Sequence, residues 1–193
     1  TNANNCSSTA SATVTVNPLP TPSVSAPSPI CVGQSATLTA SGGTNYQWNT
    51  GANTASITVS PGSTTTYTVT VTSAAGCSAT ASGTVTVNPL PTPSVSAPAP
   101  ICVGQSATLT ASGGTNYIWN TGSTSATINV SPSTTTTYTV TVTNANGCSA
   151  TASGTVTVNP LPTPSVSAPA PICVGQSATL TASGGTNYQW NTG

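Results

Sequence analysis

The feature that most constrains the fold is an internal repeat of 71 residues. Pro18–Asn88 and Pro89–Asn159 align without a gap and differ at 11 positions. This period exceeds the roughly 20–45 residues of a solenoid turn and suits a small domain repeated along the chain. We therefore predict that residues 18–88 and 89–159 are whole repeats. Residues 1–17 are predicted to be the C-terminal strand of a preceding repeat, and 160–193 the N-terminal part of a further one, so we interpret the chain as a segment of a longer protein.

Within each repeat, apolar and polar residues alternate with the period of two that is typical of β-strands. Ser35–Ser41 alternates Ala and Leu with Ser and Thr, and Tyr67–Val71 alternates Tyr and Val with Thr. Each predicted strand thus has one apolar face and one Thr face, as in antiparallel sheets that bury one side. Six or seven such strands in about 70 residues predict a small immunoglobulin-like sandwich. The predicted fold class is all-β, with tandem small immunoglobulin-like β-sandwich domains in a head-to-tail array.

Aromatic residues recur at fixed places in the repeat, where core packing is the simplest interpretation of their position. The chain has no Phe or Met, so the predicted core is thin, and a small domain with a thin core is expected to need a covalent staple. The predicted core aromatics are Trp48, Tyr67, Trp119, Tyr138 and Trp190.

The chain contains no Lys, Arg, Asp, Glu or His, whereas an ordinary domain is about a quarter charged. Without these side chains it has no general acid or base, so we expect no enzyme, no catalytic residue and no cofactor. No two Cys lie close enough in sequence for a zinc motif, so no metal site is expected. Nucleic acid as a partner is excluded because its binding depends on Lys and Arg. No apolar run approaches the 18 residues of a membrane span.

Six Cys in such a polar chain indicate an oxidising compartment and disulfides. Bonds within each repeat, Cys31–Cys77 and Cys102–Cys148, are the simple assignment. A disulfide requires Cα atoms within about 7 Å of each other. In an immunoglobulin-like topology, however, these two positions lie at opposite poles of the domain, which are farther apart than that. We therefore favour Cys31–Cys148, from one repeat to the next. Pairing of Cys77 with Cys102, or between chains, stays open. The full set of candidates is Cys6, Cys31, Cys77, Cys102, Cys148 and Cys173.

The segments that join the repeats are rich in Pro and are predicted to be extended and semi-rigid. An ordinary surface linker without function is the alternative. The linker residues in question are Pro89, Pro91, Pro93, Pro160, Pro162 and Pro164.

Five motifs of the repeat stand out as a set: Ile30–Gly43, Tyr46–Gly51, Thr66–Thr72, Gly76-Cys77 and Val85–Pro89. Together they resemble the immunoglobulin-like and PKD-like repeats of large secreted surface proteins of Bacteroidota, such as gliding adhesins. The resemblance covers the whole chain and implies an extracellular or cell-surface protein exported by a type IX-like route. Such repeats often have Asp before the Gly-Cys pair, where this chain has Ala75 and Asn146, so a calcium site is not expected there.

The predicted function is structural: the repeats form the shaft of an extracellular filament or cell-surface adhesin, with neighbouring repeats as their partners. The alternative is an ice- or carbohydrate-binding module that uses Thr rows such as Thr68, Thr70 and Thr72, with Tyr46 and Trp48 stacking on sugars. Polymerisation by strand donation between subunits is a further alternative, because an uncharged edge strand is open to strand addition. Surface glycans on Ser, Thr or Asn are compatible with any of these functions.

Overall fold

A computed structural model describes residues 1–191 of the chain, and it confirms the all-β class. The first repeat contains eight strands: β1 (Ser23–Val24), β2 (Ile30–Cys31), β3 (Ala36–Ser41), β4 (Asn45–Trp48), β5 (Ser56–Val59), β6 (Thr65–Thr72), β7 (Ser78–Val85) and β8 (Val87–Asn88). None of the described residues forms a helix long and apolar enough to cross a membrane.

Three small sheets build this repeat. Strands β1, β3 and β5 form one antiparallel sheet, and β4, β6 and β7 form the other. The two-residue strands β2 and β8 pair in parallel, which brings the first part of the repeat against its end. This is the arrangement of a small immunoglobulin-like sandwich.

The core of the first repeat follows from the alternation in its strands. In β3 the residues are alternately buried and exposed, with Leu38 fully buried, and Val69 and Val71 of β6 are equally inaccessible. Trp48 is buried among them and donates its indole N–H to the carbonyl of Thr54 at 2.9 Å. The cluster also includes Tyr67, which is 9% exposed. Two of the buried core residues, Ala36 and Ala40, are alanines.

The second repeat reproduces the first element by element: β9 (Ser94–Val95), β10 (Ile101–Cys102), β11 (Ala107–Ser112), β12 (Asn116–Trp119), β13 (Thr127–Val130), β14 (Thr136–Thr143), β15 (Ser149–Val156) and β16 (Val158–Asn159). Trp119 and Tyr138 lie in its buried cluster, and the Trp119 indole donates to the carbonyl of Ser125 at 2.9 Å.

The two part repeats do not build a core. Residues 1–17 contain no strand, since this sequence holds no equivalent of β14 for them to pair with. Among the described residues 160–191 only β17 (Ser165–Val166) and β18 (Ala182–Ser183) form, and they pair with each other. The prediction that Trp190 is a core residue is therefore wrong: its side chain is 45% exposed, because residues 160–191 form no strands equivalent to β6 and β7.

Two compact units account for the chain. Unit 1 comprises Thr1–Leu90 together with Asn146–Cys148, and unit 2 comprises Pro91–Ala145 and Ser149–Gly193. The three residues Asn146–Cys148 belong to the second repeat by sequence but to unit 1 by proximity.

At Gly83 of β7 the two sheets of the first repeat lie too close together to admit a side chain. A Cβ atom built there would lie 2.6 Å from Cγ1 of Val24 and 2.8 Å from Cδ2 of Leu38. Gly154 stands in the same relation to Val95 and Leu109 in the second repeat. No positive φ is involved, so the requirement for glycine is one of space alone.

We therefore expect Gly83→Ala to destabilise the first repeat by about 1–3 kcal/mol, the usual cost of overpacking a filled core. Differential scanning calorimetry would show a lower unfolding temperature for part of the heat uptake. Gly62→Ala is the matched control, because its Cβ meets nothing within 4 Å, and it should shift stability by less than about 0.5 kcal/mol. Equal effects of the two substitutions would contradict the close approach of the sheets.

Candidate functional site: the disulfide at Cys31

Cys31 is held at the end of its own repeat by the parallel pairing of β2 with β8. The register places Ile30 opposite Val87 and Cys31 opposite Asn88, the last residue of the repeat. The N–H of Val32 donates to the carbonyl oxygen of Asn88 at 3.1 Å. A cysteine early in the repeat therefore lies beside the last residue of that repeat.

The turn after Cys31 fixes its backbone from the other side. The N–H of Gln34 donates to the carbonyl of Cys31 at 3.0 Å, and the N–H of Cys31 donates to Oε1 of Gln34 at 3.0 Å. Gly33 adopts a φ of 88°, a left-handed conformation that favours glycine. The Cys-Val-Gly-Gln sequence thus forms a closed local ring that presents the cysteine in one orientation.

Cys148 enters the site on the turn between β14 and β15. Gly147 has a φ of 78°, and the hydroxyls of Thr143 and Ser149 close the base of the turn at 2.9 Å. Cys148 is fully buried, and its Sγ lies 3.9 Å from the carbonyl oxygen of Asn88. The turn therefore reaches the same carbonyl that orders the Val32 backbone.

Cys31 and Cys148 form a disulfide, with their Cα atoms 5.6 Å apart and a sequence separation of 117. This is the pairing that the sequence favoured. The pairs within a repeat, Cys31–Cys77 and Cys102–Cys148, are not formed, nor is Cys77–Cys102. The remaining cysteines carry free thiols: Cys6, Cys77, Cys102 and Cys173.

Each half of this site recurs elsewhere in the chain. Strand β10 pairs with β16 so that Cys102 lies opposite Asn159, as Cys31 lies opposite Asn88. The Cys102 N–H donates to Oε1 of Gln105 at 3.1 Å, so the ring is the same. At the other end, the Cys77 thiol donates to the Asn17 carbonyl at 3.8 Å, matching the position of Cys148 against Asn88. The chain thus holds one complete site and a half-site of each kind.

Some hydroxyls on the Thr faces form hydrogen bonds within their own sheets. Hydroxyls on adjacent strands bond to each other, as in Thr39 with Ser56 at 2.9 Å and Thr66 with Thr84 at 2.8 Å. These bonds satisfy polar groups across the sheet without any ion pair. The row Thr68, Thr70 and Thr72 lies on such a face, and its role in ice or sugar binding stays a prediction.

The predicted use of Trp48 for stacking on sugars is wrong, because Trp48 is 2% exposed and its indole N–H is occupied by Thr54. Tyr46 is half-buried, and its hydroxyl donates to the carbonyl of Gly43 at 3.0 Å. The aromatic residues of the repeat therefore serve its packing.

Two residues of the site were missed by the sequence analysis, Gln34 and Asn88. Gln34 stands three residues after each early cysteine in all three copies of the motif, at positions 34, 105 and 176. A polar residue at a fixed spacing from a cysteine was the available signal. The part played by Asn88 comes from its backbone carbonyl, which leaves no trace in residue type.

No protein-family profile and no curated protein sequence matches the chain. Among solved structures, the chain is similar to a Ca²⁺-stabilized adhesin that helps an Antarctic bacterium reach out and bind ice, with 16% identity over 79% of this chain and 53% of that one, and a TM-score of 0.44. It is also similar to the insect immune protein hemolin, with 18% identity over 72% of this chain and 47% of that one, and a TM-score of 0.39. A third is a 1.5-MDa bacterial ice-binding adhesin, with 15% identity over 79% of this chain and 69% of that one, and a TM-score of 0.37. The chain spans about half the length of the first two structures, and each likeness is one of fold.

Removing the bond should destabilise the chain. The double variant Cys31→Ser/Cys148→Ser is expected to lose about 2–5 kcal/mol, because the bond closes a long loop and restricts the unfolded chain. Thermal unfolding of this variant should begin at a lower temperature than that of the natural chain.

The matched control is Cys77→Ser/Cys102→Ser, which removes two thiols and no bond and should leave the unfolding temperature unchanged. Cleavage after Tyr, Trp and Leu without reduction, followed by mass spectrometry, should yield a linked pair of peptides carrying Cys31 and Cys148. A Cys31 peptide linked only to a Cys77 peptide would contradict the site.

Proposed function

We propose that the chain is a segment of the shaft of an extracellular filament or cell-surface adhesin, built from near-identical immunoglobulin-like repeats that are locked in series by disulfides. The observation that carries this proposal is the Cys31–Cys148 bond, which joins the first repeat to the second in addition to the backbone. Such a bond supports a shaft because it restricts how far successive repeats can separate.

The half-sites extend the proposal to further repeats. Cys102 beside Asn159 is equivalent to Cys31 beside Asn88, and it is exposed and carries a free thiol. We expect it to accept the Gly-Cys turn of a following repeat, while Cys77 beside Asn17 serves a preceding one. Since each repeat offers both halves, one kind of contact can be repeated without closing, which is the geometry of a fibre.

The location follows from the same bond. Disulfides persist in oxidising surroundings outside the cytosol, so the shaft is extracellular or at the cell surface. The motif resemblance of Ile30–Gly43 and its companions supports a more specific origin, in secreted surface proteins of Bacteroidota with type IX-like export. Neighbouring repeats are the partners, and no catalytic role is assigned to a chain without an acid or base.

The linkers support a stiff shaft. Pro89, Pro91 and Pro93 fall within five residues, a density that restricts the backbone to extended conformations. Pro91 is buried and Pro93 half-buried, unlike the exposed side chains of an ordinary solvated linker. The division of 18–88, 89–159 and 160–193 into successive domains is part of this proposal.

Electron microscopy of lengthened chains tests the shaft. One, two or three further copies of Pro89–Asn159 inserted after Asn159 should increase particle length by a constant increment per copy. The same chains with every cysteine replaced by Ser should show a broader spread of end-to-end distances, because only the linkers then join the repeats. Rounded particles whose longest dimension does not grow with repeat number would contradict the proposal.

The lack of charge predicts a stability that is independent of pH and salt. No side chain titrates between about pH 4.5 and 7, so the folded and unfolded states bind equal numbers of protons and the slope of stability with pH is zero. Exposed ion pairs, which salt screens, are also absent. The unfolding temperature by calorimetry should stay within about 1 °C over this pH range and between roughly 10 and 200 mM NaCl. A shift of several degrees would contradict this prediction.

A further inference from the structure

We propose that the Cys31–Cys148 bond is a mechanical bypass that limits how far the chain can be stretched. Tension applied at the two ends follows the shortest covalent route, which passes from Cys31 directly to Cys148 across a Cα separation of 5.6 Å. The 116 residues from 32 to 147 lie in a closed loop and carry none of this tension. The inference rests on connectivity alone, and only its use in a load-bearing shaft rests on the proposed function.

The loop contains most of both cores. Strands β3–β8 and β9–β14 lie inside it, together with Trp48 and Trp119, so pulling on the ends cannot draw these strands out. Only β1 and Ile30 precede the loop, and only β15 and β16 of the second repeat follow it. Tension can therefore peel the edges of the two repeats while their remaining strands stay unextended.

The disulfide loop keeps a large part of the chain's length from being extended by tension. A fully extended chain spans about 3.4 Å per residue, so the closed loop withholds about 400 Å of extension. The parts outside the loop, residues 1–31 and 148–193, extend together to about 260 Å. An intact bond thus keeps the chain to about two-fifths of the roughly 650 Å it would reach fully extended.

In a run of repeats with the same bond at every junction, the loops overlap, because the 117-residue span exceeds the 71-residue period. The shortest covalent route over two repeats is then one disulfide and the 25 residues from Cys148 to Cys173. That route is about 90 Å long, against about 480 Å for 142 extended residues. A folded domain of this size is about 30 Å across, so such a shaft could stretch by less than about twofold before its disulfides bear the load.

Single-molecule stretching of the 193-residue chain tests the bypass directly. Handles are joined enzymatically to the two termini, which leaves the free thiols untouched. The oxidised chain should release about 400 Å less contour length than the Cys31→Ser/Cys148→Ser variant. The variant Cys77→Ser/Cys102→Ser is the matched control and should behave as the natural chain does.

A second arm uses no substitution and so does not depend on a variant folding. A dithiol reductant is added to the natural chain held under force. One reductant thiolate attacks a sulfur of the Cys31–Cys148 bond to form a mixed disulfide, and its second thiolate displaces the protein sulfur, which yields two protein thiols and a cyclic oxidised reductant. The extension should then rise in one step whose full contour length is about 400 Å.

Equal contour lengths for the natural chain and the Cys31→Ser/Cys148→Ser variant, with no step on reduction, would overturn the bypass. Stretching could show the bypass while electron microscopy shows that lengthened chains form no extended particles. That result would overturn the shaft and leave the mechanical inference intact. The two proposals therefore fail by different measurements.

Discussion

Every interaction that holds this protein together comes from uncharged groups, and this constraint explains most of its construction. Burial of thin apolar faces supplies the driving force, with Leu38, Val69 and Val71 fully inaccessible in the first repeat. Hydroxyl pairs such as Thr66 with Thr84 replace the cross-strand ion pairs of other sheets. At Gly83 the space between the sheets admits no side chain, because a Cβ there would lie 2.6 Å from Cγ1 of Val24. The disulfide then adds stability that a core of this size cannot supply.

The carbonyl of Asn88 takes part both in the fold of the first repeat and in the candidate site. It accepts the Val32 N–H within the repeat and lies 3.9 Å from the buried Sγ of Cys148. The same backbone group therefore closes the first repeat and defines where the next turn is received. Since the group is a main-chain atom, its position depends on the pairing of β2 with β8 and not on the side chain of Asn88. The side chain of Gln34 and the two cysteines complete the site.

Strand pattern was the part of the structure that the sequence could predict, because alternation is a local property. The period of two in Ala36–Ser41 reproduces the burial of β3 residue by residue. Trp190 shows the limit of this reasoning, since the same motif that buries Trp48 leaves Trp190 45% exposed without its covering strands. Burial depends on partners that are distant in sequence. The two-residue pairing of β2 with β8 was equally invisible, because two residues carry no periodicity, and with it the roles of Gln34 and Asn88 were missed.

Differences between the two whole repeats show which parts of the design tolerate change. Of the 11 positions that differ, nine are exposed in the first repeat and two, Ala52 and Ser73, are half-buried, so none is in the core. The turn that carries the cysteine varies, with Ala75 in one repeat and Asn146 in the other, whereas the Gly-Cys pair that follows is the same. In the second repeat Gly147 turns the chain with a φ of 78° and Cys148 forms the disulfide, whereas the residue before them differs between the repeats. The part of this turn that the two repeats share is therefore the part that the proposed repetition of the Cys31–Cys148 bond requires.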